Sequence, residues 1–237
     1  MTGATTGRWA IYWAPPAASA LANFGARWLG RDAERGAVPQ GQGLALPPGT
    51  DPAWLATVTA DPRHYGLHAT LKPPFRLADG RAPAALVTAL ERFAAVTTPV
   101  TGPPLVLRRL GRFLALVPNG PAPAVLALAA RLVEAFDDFR APPSDAELAR
   151  RRAHRLSPDH EANLVRWGYP YVMDAFRFHV TVSGSLDAPT LDRLEAILAP
   201  LVAPFGATPL EIAELALFAQ PDDATPFTVT RRFALVG

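Results

Sequence analysis

Tyr65-Gly66-Leu67-His68-Ala69-Thr70-Leu71-Lys72 alternates in character along its length. On a β-strand, Leu67, Ala69 and Leu71 fall on one face and His68, Thr70 and Lys72 on the other. The same arrangement returns at Arg177-Phe178-His179-Val180-Thr181-Val182-Ser183. There Phe178, Val180 and Val182 take the apolar face, and Arg177, His179, Thr181 and Ser183 the polar one. Each strand presents His-x-Thr opposite an apolar face, with a cation nearby. Two such strands imply one site with two imidazoles, two hydroxyls and positive charge.

The segments around the two strands repeat as well. After His68 come a helical pattern over 82–96 and strands at 105–110 and 112–117, joined at Gly111. After His179 come a helix at about 189–201 and strands at 210–218 and 227–235. A βαββ order met twice predicts a two-lobed α+β protein with a pseudo-twofold axis, antiparallel-rich sheets and a cleft between the lobes. The symmetry would turn the histidines toward one another. The chain reads as a single two-lobed domain over 1–237. The first arm covers about 64–119, the second about 172–237, and a helical insertion about 140–170.

The remaining segments are read from local signals. Residues 1–7 look like a loose tail, and Arg8 to Ala14 a short strand. Pro15-Pro16 suits the first turn of a helix running to about Leu29. The Gly- and Pro-rich stretch 30–50 reads as a long loop and 52–59 as a short helix. Pro73-Pro74 is expected to close the first His-x-Thr strand, and 121–139 to form a helix. Ser144 and Ser157 are placed to cap two helices of the insertion, the second with Pro158 at its first position.

Composition narrows the chemistry. With 49% apolar residues over 237 positions, the chain can bury a sizeable core. It contains no cysteine, so disulfides, thiolate nucleophiles and cysteine metal sites are excluded. A net charge of +2 gives no basic stripe of the kind that binds long RNA. No apolar run is long enough to span a membrane. The stretch from Arg8 to Ala22 faintly resembles a secretory leader, but Pro15 and Pro16 interrupt it. The expected location is the cytoplasm, with no membrane partner.

Breaking a phosphodiester takes a base for the attacking oxygen, an acid for the departing one, and donors for the remaining phosphoryl oxygens. Two imidazoles meet the first two needs near neutral pH, one neutral and one protonated. Thr70 and Thr181 lie two residues along from His68 and His179, on the same strand faces, where hydroxyls can hold phosphoryl oxygens. Lys72 and Arg177 extend those faces and offset anionic charge. One His-x-Thr alone means little; two in phase with a repeat mean more. A metal is not expected, because His64, His154 and His160 lack the usual ligand spacings.

The paired motifs resemble those of the 2H phosphoesterase superfamily, which includes RNA 2′,3′-cyclic phosphodiesterases and RNA ligase-like proteins. Residues 65–75 (YGLHATLKPPF), Trp167-Gly168-Tyr169-Pro170-Tyr171 and Phe176-Arg177-Phe178-His179-Val180-Thr181 are similar to the branch called DUF1045. Members of that branch are often encoded with phosphonate-utilisation enzymes in bacteria. The resemblance implies catalytic roles for His68 and His179, phosphate binding by Thr70 and Thr181, a site between lobes, and no cofactor. Tyr12 and Tyr169 are added as accessory residues from their positions, with Lys72 and Arg177. Trp167 and Tyr169 either stack on a base or sugar ring or pack at a lobe junction.

The expected function is a metal-independent hydrolase, a cyclic phosphodiesterase using two histidines as general acid and base, in phosphonate metabolism. Its substrate would be a small phosphorylated molecule such as a cyclic nucleotide or ribose cyclic phosphate, with short RNA also open. The residues leave open which histidine is acid and whether hydrolysis or ligation is favoured. The alternative is a non-catalytic nucleotide- or RNA-binding module using the same cleft.

Overall fold

The computed structural model describes residues 7–153 and 155–237. The expected tail, apart from Gly7, and His154 lie outside the described residues. In chain order the elements are β1 (Arg8–Trp13), α1 (Ala20–Leu29), β2 (Arg31–Asp32), β3 (Gly36–Ala37), α2 (Pro52–Val58), α3 (Ala60–Arg63), β4 (Ala69–Arg76) and α4 (Pro83–Ala95). There follow β5 (Val100–Gly102), β6 (Leu105–Leu110), β7 (Phe113–Pro118), α5 (Pro123–Ala135), α6 (Asp145–Arg152) and α7 (Pro158–Trp167). The chain ends with β8 (Val180–Thr181), α8 (Ala188–Val202), β9 (Leu210–Ile212), β10 (Glu214–Gln220) and β11 (Thr228–Ala234).

The fold is α+β. Seven strands form one antiparallel sheet in the order β11-β10-β1-β4-β8-β7-β6. The two His-x-Thr strands, β4 and β8, are neighbours and share one register pair, Ala69 with Val180. Strands β5 and β9 hold equivalent places after α4 and α8, and they pair with each other. Equivalent elements meeting their own counterparts is what a pseudo-twofold axis between β4 and β8 requires. On either side of that axis the order reads β4-β1-β10 and β8-β7-β6, so β1 matches β7 and β10 matches β6, while β11 has no counterpart. The repeat thus begins one strand before each His-x-Thr strand and does not end in two equivalent hairpins.

Helices α4, α5 and α8 bury Leu86 and Leu90, Leu128 and Leu132, and Leu194 and Leu198 in one large core. That core also takes Ala69 and Leu71 of β4 and Val180 of β8, with Leu67, Phe178 and Val182 in the segments that flank them. On the other side of the sheet a smaller cluster forms around Tyr12, Phe218 and Phe227, with Ala10, Ala14 and Ala216. The small alanines keep this second face shallow.

Strand β8 has only two residues, so side chains complete its anchoring. The Trp28 indole donates to the Val182 carbonyl at 2.7 Å, and the Leu114 amide donates to the Ser183 hydroxyl at 2.9 Å. Ser183, expected on the polar face, is thereby buried. The 30–50 stretch contains the β2–β3 hairpin, and Arg63 ties it down by donating to the Leu29 carbonyl at 2.6 Å and the Gln40 side-chain oxygen at 2.9 Å.

Two boundaries move for physical reasons. Helix α1 starts at Ala20, not at Pro15-Pro16, because Ser19 caps it, its hydroxyl accepting from the Ala22 amide at 3.1 Å. Strand β4 continues through Pro73 and Pro74 to Arg76. A proline cannot donate to a ladder, but pairing between β4 and β8 has already stopped at Ala69, so the side facing β8 has no ladder left to break. The β6–β7 turn falls at Gly111, whose φ of 60° suits glycine. Ser144 and Ser157 cap α6 and α7 as the sequence indicates, the first in a capping box with Glu147. Among the described residues, no helix is long and apolar enough to cross a membrane.

Candidate active site

Continuing the Ala69–Val180 pair by one residue each way sets His68 opposite Thr181 and Thr70 opposite His179. Each histidine thus faces the other motif's threonine, and the four side chains share the sheet face turned away from the large core. A cleft of about 310 Å³ opens on that face, lined by His68, Thr70 and Thr181 together with Tyr12, Tyr65 and Tyr169. His179 stands outside the lining, its ring 6.0 Å from that of Phe113. It is nonetheless close enough for its charge to bear on His68.

Both imidazoles are oriented in the same way. His68 Nδ1 lies 2.9 Å from the carbonyl of Gly66, and His179 Nδ1 lies 2.7 Å from the carbonyl of Arg177. A ring nitrogen meeting a carbonyl must carry the hydrogen, so Nδ1–H donates and Nε2 is left for proton exchange. Gly66 adopts φ 75°, and a Cβ there would lie 3.0 Å from the Ala33 side chain, so glycine is needed to present this carbonyl.

Tyr12 is buried and stacks on His68, with ring centroids 4.2 Å apart at 25°. It pairs directly with Thr70 in the β1–β4 register. Burial, then the phenols of Tyr65 and Tyr169, push the Tyr12 pKa well up, while a hydrogen bond with Thr70 and the charge of Arg8 pull it down. Tyr12 is therefore a neutral phenol at physiological pH. Burial lowers His68 to about 4, with the Gly66 carbonyl opposing and His179 adding to the effect. An unfolded chain binds this proton near 6.5 and the folded one near 4, so wild-type stability gains a rise with pH across that window. Denaturant melts of wild type and His68→Ala at several pH values should show a smaller rise in the variant. Inorganic phosphate, which favours the imidazolium, should flatten the rise in wild type.

Lys72 does not reach the cleft. Tyr12 pairs with Thr70 but Ile11 with Lys72, so β4 carries one extra residue at this point. Such a bulge reverses the alternation, and Lys72 joins Ile11 on the core side. Its ammonium donates to the Val133 carbonyl at 3.0 Å, one of the last carbonyls of α5 without an intrahelical partner. Burial lowers the Lys72 pKa to about 8, with Asp137 raising it and Arg140 lowering it. Lys72→Met should leave kcat/KM within about threefold of wild type, since the ammonium is remote from the reacting groups. The same variant should lose the gain in stability between pH 8 and 10.5 that a lysine with a lowered folded pKa gives.

Arg177 is exposed and absent from the cleft lining; it serves His179 through its backbone carbonyl. The positive charge comes from residues the sequence did not single out: Arg8, Arg76, Arg140, Arg150 and Arg151. Arg8 pairs with Asp223 at 3.0 Å, Arg76 with Glu147 at 2.9 Å and Arg140 with Asp137 at 2.8 Å. Arg76 was findable by extending β4 past the prolines. Arg150 and Arg151 lie on α6, and nothing local announces that this helix borders the cleft.

Tyr169 lines the cleft, with the Arg151 guanidinium 4.6 Å above its ring. Burial raises its phenol pKa, against the pull of Arg151. Trp167 carries Arg166 over its ring at 4.5 Å and is not part of the lining. Among the described residues no group of three or more histidines and carboxylates is arranged to hold a metal ion.

A family model described as "Protein of unknown function (DUF1045)" matches residues 70–228. The chain belongs to the DUF1045 family. It is also 36% identical over 234 residues to the "Ribose 1,5-bisphosphate phosphokinase PhnN" of Janthinobacterium sp. (strain Marseille), covering 97% of this chain and 51% of that protein. The protein of the same name from Laribacter hongkongensis (strain HLHK9) is 36% identical over 230 residues, covering 94% of this chain and 51% of its own length. The DUF1045 chain therefore spans about half the length of the curated relatives it matches. Among solved structures, "E.coli LigT complexed with 3'-AMP" aligns with a TM-score of 0.43 and 16% identity over 98% of this chain and 99% of that one. At that similarity the solved structure adds nothing to the assignment.

Proposed function

We propose that this DUF1045 protein is a metal-independent phosphoesterase of the 2H type, acting on a small cyclic phosphate or short phosphodiester between its two pseudo-symmetric lobes. The observation that carries the reading is the antiparallel apposition of the two His-x-Thr segments beside one cleft, each imidazole held by an Nδ1–carbonyl contact.

In this reading Thr70 and Thr181 donate to the non-bridging phosphoryl oxygens, and the arginines around the cleft lower the cost of the incoming anion. Burial keeps His68 neutral in the resting protein, which suits it as general base. Its Nε2 takes a proton from water as the water oxygen bonds to phosphorus. The phosphorus–oxygen bond of the ring breaks, and the departing oxygen receives a proton from Nε2 of His179. Proton return from His68 to His179 through solvent restores the start. Reversed roles serve the reverse reaction. Tyr12, stacked on His68 and paired with Thr70, positions both groups.

The relatives' name supports a ribose phosphate as the substrate class, and a role in phosphonate use goes with that proposal. Activity on a 2′,3′-cyclic nucleotide or ribose cyclic phosphate should persist in millimolar EDTA. Loss in chelator with recovery on adding zinc or manganese would overturn the metal-free mechanism. Tight binding of these compounds with no turnover would instead favour a binding module.

A further inference from the structure

Helix α6 differs from the other α-helices of the described residues, each of which buries at least one side chain. It buries none of its residues. It is fixed by its ends, Glu147 to Arg76 on β4 at 2.9 Å and Arg152 to Glu161 on α7 at 2.6 Å. A helix with no buried face is not there to build the core. Its Arg150 and Arg151 line the cleft that also holds His68, Thr70 and Thr181.

The other three arginines of the cleft have carboxylate partners, Asp223, Glu147 and Asp137. Among the described residues, Arg150 and Arg151 form no ion pair. Arg151 is set over the ring of Tyr169, which restrains the guanidinium without neutralising it. Tyr169 lies within electrostatic reach of Tyr12, the residue stacked on His68. The charge of α6, with Arg150 within electrostatic reach of Glu147 and Arg151 over Tyr169, thus borders the same open cleft as the His-x-Thr groups. That cleft also has the carboxylates of Asp61 and Glu147 in its lining. Its volume, about 310 Å³, suits a sugar phosphate or mononucleotide and is more than one phosphoryl group needs.

From this arrangement we infer that Arg150 and Arg151 form a second anion subsite. It takes a second phosphate or phosphonate group, carried by the same small molecule whose phosphodiester sits between Thr70 and Thr181. The inference rests on the phosphoesterase reading and specifies its substrate: a small molecule with two anionic phosphorus groups. The α6 arginines act on the non-reacting group, so they set selectivity and not the chemistry.

The test compares adenosine 2′,3′-cyclic phosphate with the same compound bearing a 5′-phosphate, for wild type and for Arg150→Gln/Arg151→Gln. One additional charge-assisted hydrogen bond should raise wild-type kcat/KM for the 5′-phosphorylated compound by about tenfold or more. That ratio should fall toward one in the double variant. A wild-type ratio near one, or a ratio that survives the double substitution, would overturn the subsite. So would a larger increase from a short oligoribonucleotide ending in a cyclic phosphate, because a polymer would then be the ligand. If neither compound is turned over, the phosphoesterase reading fails and calorimetry decides the subsite alone. Ribose 5-phosphate should then bind wild type at least tenfold more tightly than the double variant, and equal affinities would overturn it.

Discussion

Replacing His68 or His179 by Ala lowers kcat/KM on a cyclic phosphate by about 10² to 10⁴, the range for a positioned proton donor or acceptor. The double replacement costs far less than the product of the two. One proton transfer without the other does not complete the reaction, so the pair fails as a unit. The pH dependence of kcat/KM is bell-shaped in wild type, because one imidazole must be neutral while the other is protonated. Its limbs belong to the pair, since the two rings share one site and one bound phosphate. Loss of either ring should remove one limb. Steady-state rates across pH for wild type and the three variants check all of this. A single variant within a few-fold of wild type would remove that histidine from the proton-transfer step.

Thr70→Ala and Thr181→Ala should each cost about 2.7–4 kcal/mol of transition-state stabilisation, the scale of losing one oxyanion donor, or roughly 10² to 10³ in rate. The register places each hydroxyl beside the imidazole of the opposite motif. A phosphoryl oxygen bound there meets both groups. Neither threonine is fully buried, so the fold should hold. The urea midpoint should change little for Thr181→Ala and fall modestly for Thr70→Ala, which removes the hydrogen-bond partner of the buried Tyr12 phenol. The serine variants keep a hydroxyl at the same position and should recover most of the rate. If Thr70→Ala and Thr70→Ser lose equally, the methyl packing matters and the hydroxyl does not.

Much of the arrangement was legible in the sequence, because it rests on local periodicity. The alternation of Leu67–Leu71 and Phe178–Val182 identified the two strand faces, though not Lys72 or Ser183 at their ends, and the recurring order of elements predicted that equivalent parts would meet. The helix caps at Ser144 and Ser157 were legible for the same reason, since a cap is a matter of three or four neighbouring residues.

What failed to show depends on distant pairings. Lys72 continues the polar alternation on paper, but the bulge against β1 turns it to the core, and nothing within β4 announces a bulge set by Ile11 and Tyr12. Pro73-Pro74 looked like an end; the strand goes on because no neighbour needs their amides on the open side. The clustering of arginines at the cleft depends on where the 140–170 segment lies, and that is decided by the contacts of Arg76 with Ala141, Pro142 and Glu147, far apart from it in sequence. The short β8 reflects the same limit, for its anchoring comes from Trp28 and Leu114.

The central claim is that the two His-x-Thr motifs make a metal-free phosphoesterase centre. Phosphorus NMR of a ribose cyclic phosphate and a 2′,3′-cyclic nucleotide, incubated with the protein in EDTA, tests it most directly. The account predicts that the cyclic phosphate resonance of at least one of them converts to a phosphomonoester with wild type, and remains unchanged over the same interval with the His68→Ala/His179→Ala variant. Equal conversion by wild type and the double variant, or conversion only after a metal ion is restored, would contradict it.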